Sequence, residues 1–342
     1  MPESQPPSLT AYHLRYTIQA TEALELEQHP GSALRGALFA ALLKRFCVNQ
    51  EAPECASCPL VYTCPVSVLV APLRDEFPRG RDVPRPFVVR PPLVAAASGD
   101  TGGLRLEPGQ QVSFGLTLFG SAGKLFPYVV LAAQMMERNG LGRPLREHRW
   151  RRGRFALERI EAVHPFTGAQ ATLFERGKPQ VRAPELAITA EDVAARAAAL
   201  ATETISLRFL TPTRLTEHGS LVHQLQPGAL IRRLAERLDA LEHEYAPALA
   251  QQASPVAART AGRWYAVAQA AQLQMAGGEV NWVDTKSYSR RQQRALPIGG
   301  FVGRATFTGS LTLMLRELLV WGEIVHVGKN CVKGDGWYQI EA

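Results

Sequence analysis

The residues best suited to phosphate chemistry form one short glycine-rich run near the C-terminus. His326–Tyr338 reads HVGKNCVKGDGWY, so that a histidine and two lysines are interspersed with three glycines. Glycine accepts positive φ angles and lets the backbone approach a phosphate, and successive amides in such turns can form an anion-binding nest. We therefore predict a phosphate-binding loop, with contacts from Gly328, Lys333, Gly334 and Gly336.

Arginines are concentrated in two other segments of a chain whose net charge is +7. Six arginines lie between residues 143 and 154, and three more lie between residues 290 and 294. A guanidinium group can bond phosphate oxygens and stack on bases, so such segments can follow a nucleic-acid backbone. A solvated surface charge run is the alternative interpretation. The predicted contact residues are Arg143, Arg149, Arg151, Arg152, Arg290 and Arg291.

Four cysteines within 18 residues predict a metal site: Cys47, Cys55, Cys58 and Cys64. Four thiolates can close a tetrahedral zinc site or hold an iron-sulfur cluster, and a reducing cytoplasm disfavours disulfides. Spacing does not separate the two metals. Structural zinc is preferred because no redox chemistry is evident, and four unliganded thiols are the alternative. Cys331 is treated as a small packing residue.

The elements that must position these residues begin with a strand and a helix. Residues 12–18 alternate apolar and polar side chains, and residues 34–46 carry apolar side chains at helical spacing behind a capping Ser32. Strand-like alternation returns at residues 112–118, followed by a helix and then a strand near residues 155–160. This order predicts one complete α+β unit.

A similar order of elements follows in the second half. A strand at residues 205–209 precedes two helical regions, 231–245 and 257–275, and then strand-like residues and a helix marked by residues 311–318. We predict an α+β fold of two tandem ferredoxin-like (RRM-like) domains. The first covers residues 1–200, with a cysteine-rich metal-binding insertion at 47–64 and a linker, and the second covers residues 201–342 with the glycine-rich loop.

Four short motifs accompany the HVGK of the glycine-rich run at consistent intervals. They are GSALRGA at 31–37, LRFLTPTRL at 207–215, SYSRRQ at 287–292 and GGFVG at 299–303. Together these segments resemble the CRISPR-associated endoribonucleases of the RAMP superfamily (Cas family six), which process precursor CRISPR RNA. The resemblance spans most of the chain. Asp335 and Trp337 depart from it, because relatives usually carry apolar and smaller residues there.

The resemblance implies an endoribonuclease that cuts CRISPR repeats without a catalytic metal. The substrate's own 2′-hydroxyl would attack the adjacent phosphate and leave a cyclic phosphate and a 5′-hydroxyl. We expect His326 as acid or base, Lys329 as phosphate stabiliser and Tyr288 as an orienting group. His29, just before the first helix, is a competing candidate, and His13 is a third. The structural alternative is that His326 ends a strand and Tyr288 packs in a core.

Composition and missing motifs narrow the other functions. No run of roughly 18 apolar residues is present, and the polar start MPESQPPSLT lacks a signal peptide's features, which predicts a cytoplasmic protein without a membrane partner. No Walker, dinucleotide or serine-hydrolase motif occurs. The expected partners are CRISPR repeat RNA and Cas effector-complex proteins. Two alternatives stay open: a noncatalytic crRNA-binding RAMP subunit, and a redox protein built on the cysteine segment.

Overall fold

A computed structural model divides the chain into two compact units. Residues 11–187 form the N-terminal unit, and residues 188–342 belong to the C-terminal unit. The residues that the structure describes are 9–72, 83–93, 103–246, 254–289 and 293–341, without the side chains of 254–261 and 287–289.

The N-terminal unit combines strands and helices in the predicted α+β order. In chain order its elements are β1 (Ala11–Ala20), β2 (Leu24–Leu26), α1 (Gly31–Phe46), α2 (Pro65–Val70), β3 (Phe87–Arg90), β4 (Leu104–Leu106), β5 (Gln111–Phe119), α3 (Phe126–Asn139), β6 (Leu141–Leu145), β7 (Arg151–Gly153), β8 (Phe155–Val163) and β9 (Gln170–Glu175).

A five-stranded antiparallel sheet forms the centre of this unit, with the strand order β3-β5-β1-β8-β9. On the central strand β1, Leu14, Tyr16 and Ile18 are buried, and this confirms the two-residue period predicted from the sequence. Two short ladders, β2 with β4 and β6 with β7, lie apart from the main sheet.

Helices α1 and α3 pack against each other in the N-terminal unit. Helix α1 buries Leu34, Leu38 and Leu42, which lie on one face because they are four residues apart. Its N-cap is Pro30, which has no side-chain capping bond, so the predicted cap at Ser32 is wrong. Helix α3 ends before Gly140, whose φ of 72° lets the chain leave the helix.

The C-terminal unit repeats this plan with more helix. In chain order its elements are α4 (Ala190–Ala198), β10 (Thr204–Thr213), β11 (Thr216–Glu217), β12 (Ser220–Leu221), α5 (Pro227–Tyr245), α6 (Ser254–Ala270), β13 (Gln274–Gly277), β14 (Val280–Val283), β15 (Lys286–Ser289), β16 (Arg294–Pro297), β17 (Gly300–Thr308), α7 (Leu313–Val325) and β18 (Tyr338–Glu341).

The main antiparallel sheet of the C-terminal unit has the order β13-β17-β10-β18, and β14 also pairs with β17. Four strands of each main sheet therefore have the same relative order. The first in the chain (β1 or β10) lies between the third (β5 or β17) and the fourth (β8 or β18), and the second (β3 or β13) pairs with the other edge of the third. Mixed helices and antiparallel sheets confirm the α+β class. Among the described residues, no helix combines the length and apolar character that crossing a bilayer requires.

Helix α4 packs against α7 within the C-terminal unit. The buried guanidinium of Arg316 on α7 donates hydrogen bonds of 2.8 Å to the carbonyl oxygens of Ala197 and Leu200. The sequence had placed this helix at the end of the first domain. One predicted helix end is also wrong, because α6 ends at Ala270 and not near 275. The helix marked by residues 311–318 is confirmed as α7, which continues to Val325.

Candidate functional site

The glycine-rich loop, residues 326–338, follows α7 and closes against the end of β10. The Thr211 hydroxyl donates to the Gly334 carbonyl oxygen at 2.7 Å and accepts a hydrogen bond from the Trp337 amide at 2.9 Å. The Gly336 amide donates to the Pro212 carbonyl oxygen at 3.0 Å. Hydrogen bonds to the strand that opens the C-terminal sheet therefore hold the loop in place.

Two loop glycines are required because neighbouring backbone lies too close for a side chain. Gly328 has a φ of 90°, and a Cβ there would lie 2.4 Å from the Arg214 carbonyl oxygen. Gly336 has a φ of 72°, and its Cβ would lie 1.9 Å from the Val327 carbonyl oxygen. The Lys329 amide also donates a hydrogen bond to the Arg214 carbonyl oxygen at 2.9 Å. These contacts explain why glycine is needed at both positions without any bound phosphate. They also occupy backbone N–H groups that an anion-binding nest would use.

His326 follows α7 and is fully buried. Its ring stacks on that of Trp337, with 6.1 Å between centroids, and Nδ1 lies 3.3 Å from the Asp335 carbonyl oxygen. The residue follows a helix, not a strand as the sequence suggested. A ring without exposed surface cannot exchange a proton with bound RNA in this conformation. The geometry therefore favours a packing role for His326 over the expected acid–base role.

The interior of the loop contains two further ionisable groups. Burial raises the pKa of Asp335 to about 8, although the Lys333 charge and a hydrogen bond from Asn330 oppose this. Burial likewise raises the pKa of Cys331, whose thiol donates to the Gly328 carbonyl oxygen at 3.2 Å. Cys331 is buried, which confirms its predicted packing role. Lys329, in contrast, is exposed.

The arginine-rich segment 143–154 includes most of the hairpin of β6 and β7 in the N-terminal unit. Its base lies directly on β2: a Cβ at Gly142 would be 2.0 Å from the Glu25 carbonyl oxygen, and one at Gly153 would be 2.1 Å from that of Ala23. The turn between the strands and the first residue of β7 together form the hairpin tip, residues 146–151. Apart from the half-buried His148, its residues are exposed.

The predicted RNA-binding arginines of this hairpin differ in their contacts. Arg143 forms an ion pair with Glu25, and Nε of Arg152 donates to the Gly142 carbonyl oxygen at 2.9 Å. Arg149, in contrast, makes no side-chain hydrogen bond or ion pair with any residue that the structure describes. The hairpin therefore brings the arginines together, but part of the set also holds the hairpin in place.

Two histidines of the N-terminal unit were alternatives to His326. His29 lies just before Pro30, the N-cap of α1, and is half-buried, and burial lowers its pKa, which favours the neutral imidazole. Its Nε2 makes no hydrogen bond within the described residues. The ring of His13 lies on the sheet, with Nδ1 3.0 Å from the Thr117 hydroxyl oxygen. Burial and the charges of Arg90 and Arg15 lower the pKa of His13.

Three residues of the SYSRRQ motif carried predicted roles. Tyr288 lies on β15 opposite Ala295 of β16, in a two-stranded ladder beside the main sheet. Its side chain lies outside the described part of the chain. Arg290 and Arg291 also lie outside the described residues. The orienting role of the tyrosine and the RNA contacts of both arginines stay predictions.

All four cysteines of the N-terminal segment are described, and each is half-buried. Burial raises the pKa of Cys55, and the thiols of Cys64, Cys47 and Cys58 raise it further, so the four sulfurs share one neighbourhood. The Cys58 amide donates to the Cys55 carbonyl oxygen at 3.2 Å. However, within the described ranges no group of three or more His, Cys, Asp or Glu is arranged to hold a metal ion. The predicted metal site is therefore not preformed.

The sequence analysis did not single out Trp150, the most exposed aromatic side chain of the described residues at 71%. Its position inside RWRR, residues 149–152, was an available signal, because an aromatic within an arginine run suits nucleic-acid binding. It also missed the hairpin's acidic partners, Glu22 and Glu25, since more than 100 residues separate them from the arginines that they bind.

Family models match both halves of the chain. A model described as an N-terminal domain matches residues 9–186, and the model of the CRISPR-associated endoribonuclease Cas6 matches residues 207–338. The second match includes the whole glycine-rich loop and residues 207–213 of β10. Among curated proteins, none matches this chain.

Solved structures with the same fold include Cas6 proteins. A Cas6 product complex from Thermus thermophilus is 16% identical, with a TM-score of 0.54, and the match covers 97% of this chain and 100% of that chain. A partial Cas6-RT-Cas1–Cas2 complex is 13% identical, with a TM-score of 0.57, and covers 98% of this chain but 47% of the other. At such identities the likeness shows the fold alone.

Proposed function

We propose that this chain, whose residues 207–338 match the model of the CRISPR-associated endoribonuclease Cas6, cuts precursor CRISPR RNA within its repeats. The shared strand order of the two units supports the related proposal that both are ferredoxin-like domains. Open sheet faces of this kind commonly bind single-stranded RNA. The exposed arginines of the hairpin tip add the positive charge that an RNA backbone requires.

The proposed reaction needs proton transfer and no external nucleophile. A base removes the proton of the 2′-hydroxyl, and the 2′-oxygen then forms a bond to the adjacent phosphorus. The bond from phosphorus to the 5′-oxygen breaks, and an acid protonates that oxygen. The products are a 2′,3′-cyclic phosphate and a 5′-hydroxyl, and no metal is required by this balance. Side chains supply proton transfer and stabilise charge on the phosphate.

We propose His29 as the residue that transfers a proton, and its geometry is the observation that supports this role. His29 is only half-buried, whereas His326 has no exposed surface. The His29 Nε2 is itself a buried atom that makes no hydrogen bond within the described residues, and burial lowers the pKa of the ring, which favours its neutral form. A neutral imidazole can accept the proton of a hydroxyl. His326 is fully buried, and His13 is bound to Thr117, so both are less suitable.

Other groups would act on the phosphate and the RNA backbone. Lys329 is exposed within the glycine-rich loop and could stabilise charge on a phosphate oxygen. Tyr288 is kept as the orienting group because of its place in the SYSRRQ motif. We propose backbone contacts for arginines of both basic segments, among them Arg149, which makes no side-chain hydrogen bond or ion pair with any described residue.

Substitution of His29 tests the assignment. We expect His29→Ala to slow single-turnover cleavage of repeat RNA by about 100-fold or more, because proton transfer contributes on that order. In the unmodified protein the rate should fall on the acid side, at a pH below the ordinary histidine pKa of about 6.5, because the base must be neutral and burial lowers the pKa of His29. The matched control is His243→Ala, on the exposed side of α5. Equal rates for both variants would assign the proton transfer to another residue.

The alternative function is a noncatalytic subunit that binds crRNA in an effector complex. Tight binding of repeat RNA that stays intact in the same assay would favour it. The partners in that case would be other Cas proteins. The partial Cas6-RT-Cas1–Cas2 complex concerns a longer chain, so we propose Cas-protein partners here only as a class.

For the cysteine segment we propose structural zinc, with an iron-sulfur cluster as the alternative. The shared neighbourhood of the four sulfurs supports it, but the described arrangement does not fit a metal without movement. No catalytic step is assigned to this metal. Metal analysis of the purified protein decides between one zinc per chain, iron with visible absorbance, and no metal.

A further inference from the structure

The hairpin tip contains a tryptophan in an unusual backbone conformation. Trp150 is 71% exposed and has a φ of 63°, and the preceding Arg149 has a φ of 54°. Positive φ angles are disfavoured for side chains of this size, and such positions cluster at functional sites. The Trp150 amide donates to the Leu145 carbonyl oxygen at 2.9 Å, so this backbone is hydrogen-bonded in place while the indole points away from the protein core.

Contacts with neighbouring residues hold the base of the hairpin and so fix the position of the tip. Nε of Arg154 donates to Glu22 at 3.0 Å, and Nη2 donates to the same carboxylate at 2.6 Å. The His148 Nε2 lies 2.8 Å from the Ala23 carbonyl oxygen. Glu147 of the tip forms an ion pair of 3.0 Å with Arg105 on β4. An indole on such a base loses little freedom on binding.

The charge around the indole identifies the class of ligand. Arg146, Arg149 and Arg151 are exposed on the same turn, and Glu147 is the acidic residue among them. Arg146 and Arg149 have no ion pair within the described ranges. Arginines that can bond phosphates next to an exposed aromatic face form the combination that binds single-stranded nucleic acid, since every base offers a face for stacking.

We propose that Trp150 stacks on one unpaired base of the RNA while Arg146 and Arg149 bind the flanking phosphates. This inference builds on the proposed function, because it names the binding mode of the same substrate. Stacking requires a base whose face is accessible, so the bound nucleotide lies in a single-stranded part of the repeat or at the end of its paired region. The contact reads no base edge, and it therefore tolerates any base at that position.

Binding measurements on four proteins test the inference: the unmodified full chain, Trp150→Ala, Trp150→Phe and Tyr265→Ala. Tyr265 is the matched control, because it is another exposed aromatic, on α6 of the C-terminal unit. The ligand is repeat RNA with 2-aminopurine placed singly at each unpaired position and a 2′-deoxy nucleotide at the cleavage position. We expect Trp150→Ala to weaken binding about 5- to 100-fold, with Trp150→Phe close to the unmodified chain.

Two further readouts separate stacking from charge. Fluorescence of one 2-aminopurine position should be quenched by the unmodified chain and recover with Trp150→Ala. The dependence of log affinity on log salt should be unchanged in Trp150→Ala, because no phosphate contact is removed. Equal affinities for Trp150→Ala and Tyr265→Ala, while the unmodified chain still binds and cuts, overturn the inference alone. An unmodified chain that neither binds nor cuts the repeat overturns the proposed function instead.

Discussion

The glycine-rich loop and the hairpin tip each contain a histidine, a tryptophan and several cations, but their arrangements are opposite. In the loop, the amides of Gly336 and Lys329 donate to carbonyl groups of the same unit, and His326 is fully buried. In the tip, Arg149 and Trp150 are exposed on a turn whose base is fixed by other residues. Glycines and cations in one segment therefore do not by themselves indicate a ligand site. The two loop amides bond to Pro212 and Arg214 outside the loop, whereas the Trp150 amide bonds to Leu145 of the same hairpin, so the partners of the backbone amides distinguish the two segments.

The largest expected effect comes from a methyl group inside the loop. In Gly336→Ala, the Cβ would lie 1.9 Å from the Val327 carbonyl oxygen at a φ of 72°. We expect a loss of about 4 kcal/mol in the free energy of unfolding, measured by urea denaturation. The control is Gly219→Ala, where φ is 82° and nothing lies within 4 Å. It should cost about 1 kcal/mol, because only the backbone penalty applies. Similar losses in both variants would remove the packing explanation.

A smaller effect concerns the buried carboxyl group of the loop. The folded pKa of Asp335, about 8, lies above the ordinary value of 3.8, so between these pH values the folded chain holds a proton that the unfolded chain releases. This group therefore lowers stability by about 1.4 kcal/mol per pH unit as pH rises through that window. Asp335→Asn has no titrating group at this position. Its free energy of unfolding, relative to that of the unmodified chain, should therefore be higher at pH 7.5 than at pH 5. A constant difference in unfolding free energy would mean that the carboxyl group is solvated.

The smallest effect separates arginines within the hairpin. Arg149 has no partner within the described residues, whereas Arg143 is paired with Glu25. We expect Arg149→Ala to lower the salt slope of RNA binding by about 0.7, the value for one phosphate contact in a single strand. Arg143→Ala should change it less, because that arginine already has an acidic partner. If Arg143→Ala has the larger effect, the base of the hairpin and not its tip binds the backbone.

The sequence predicted the main strands and helices well, because their side chains repeat with the period of the backbone. Leu14, Tyr16 and Ile18 are buried on β1 as the alternation required, and Leu34, Leu38 and Leu42 share one face of α1. Element ends were less predictable. The helix expected near residues 311–318 continues to Val325, because local pattern does not show where packing stops.

The candidate site was less accessible to sequence reasoning. Burial of His326 depends on Trp337 and on hydrogen bonds between the loop and β10, and no local pattern encodes these contacts. The ion pairs of the hairpin join residues far apart in the chain, such as Arg154 and Glu22. His29 was identified through the family resemblance, since a lone histidine before a helix carries no signal of its own.

The most direct test of the central claim is cleavage of the chain's own repeat RNA by purified protein in EDTA. One substrate is unmodified, and a second carries a 2′-deoxy nucleotide at the cleaved position. We expect one cut in the unmodified RNA, with a cyclic phosphate and a 5′-hydroxyl as the new ends, and no cut in the 2′-deoxy RNA. Cleavage that needs a divalent metal, or that continues on the 2′-deoxy substrate, would contradict the proposed chemistry.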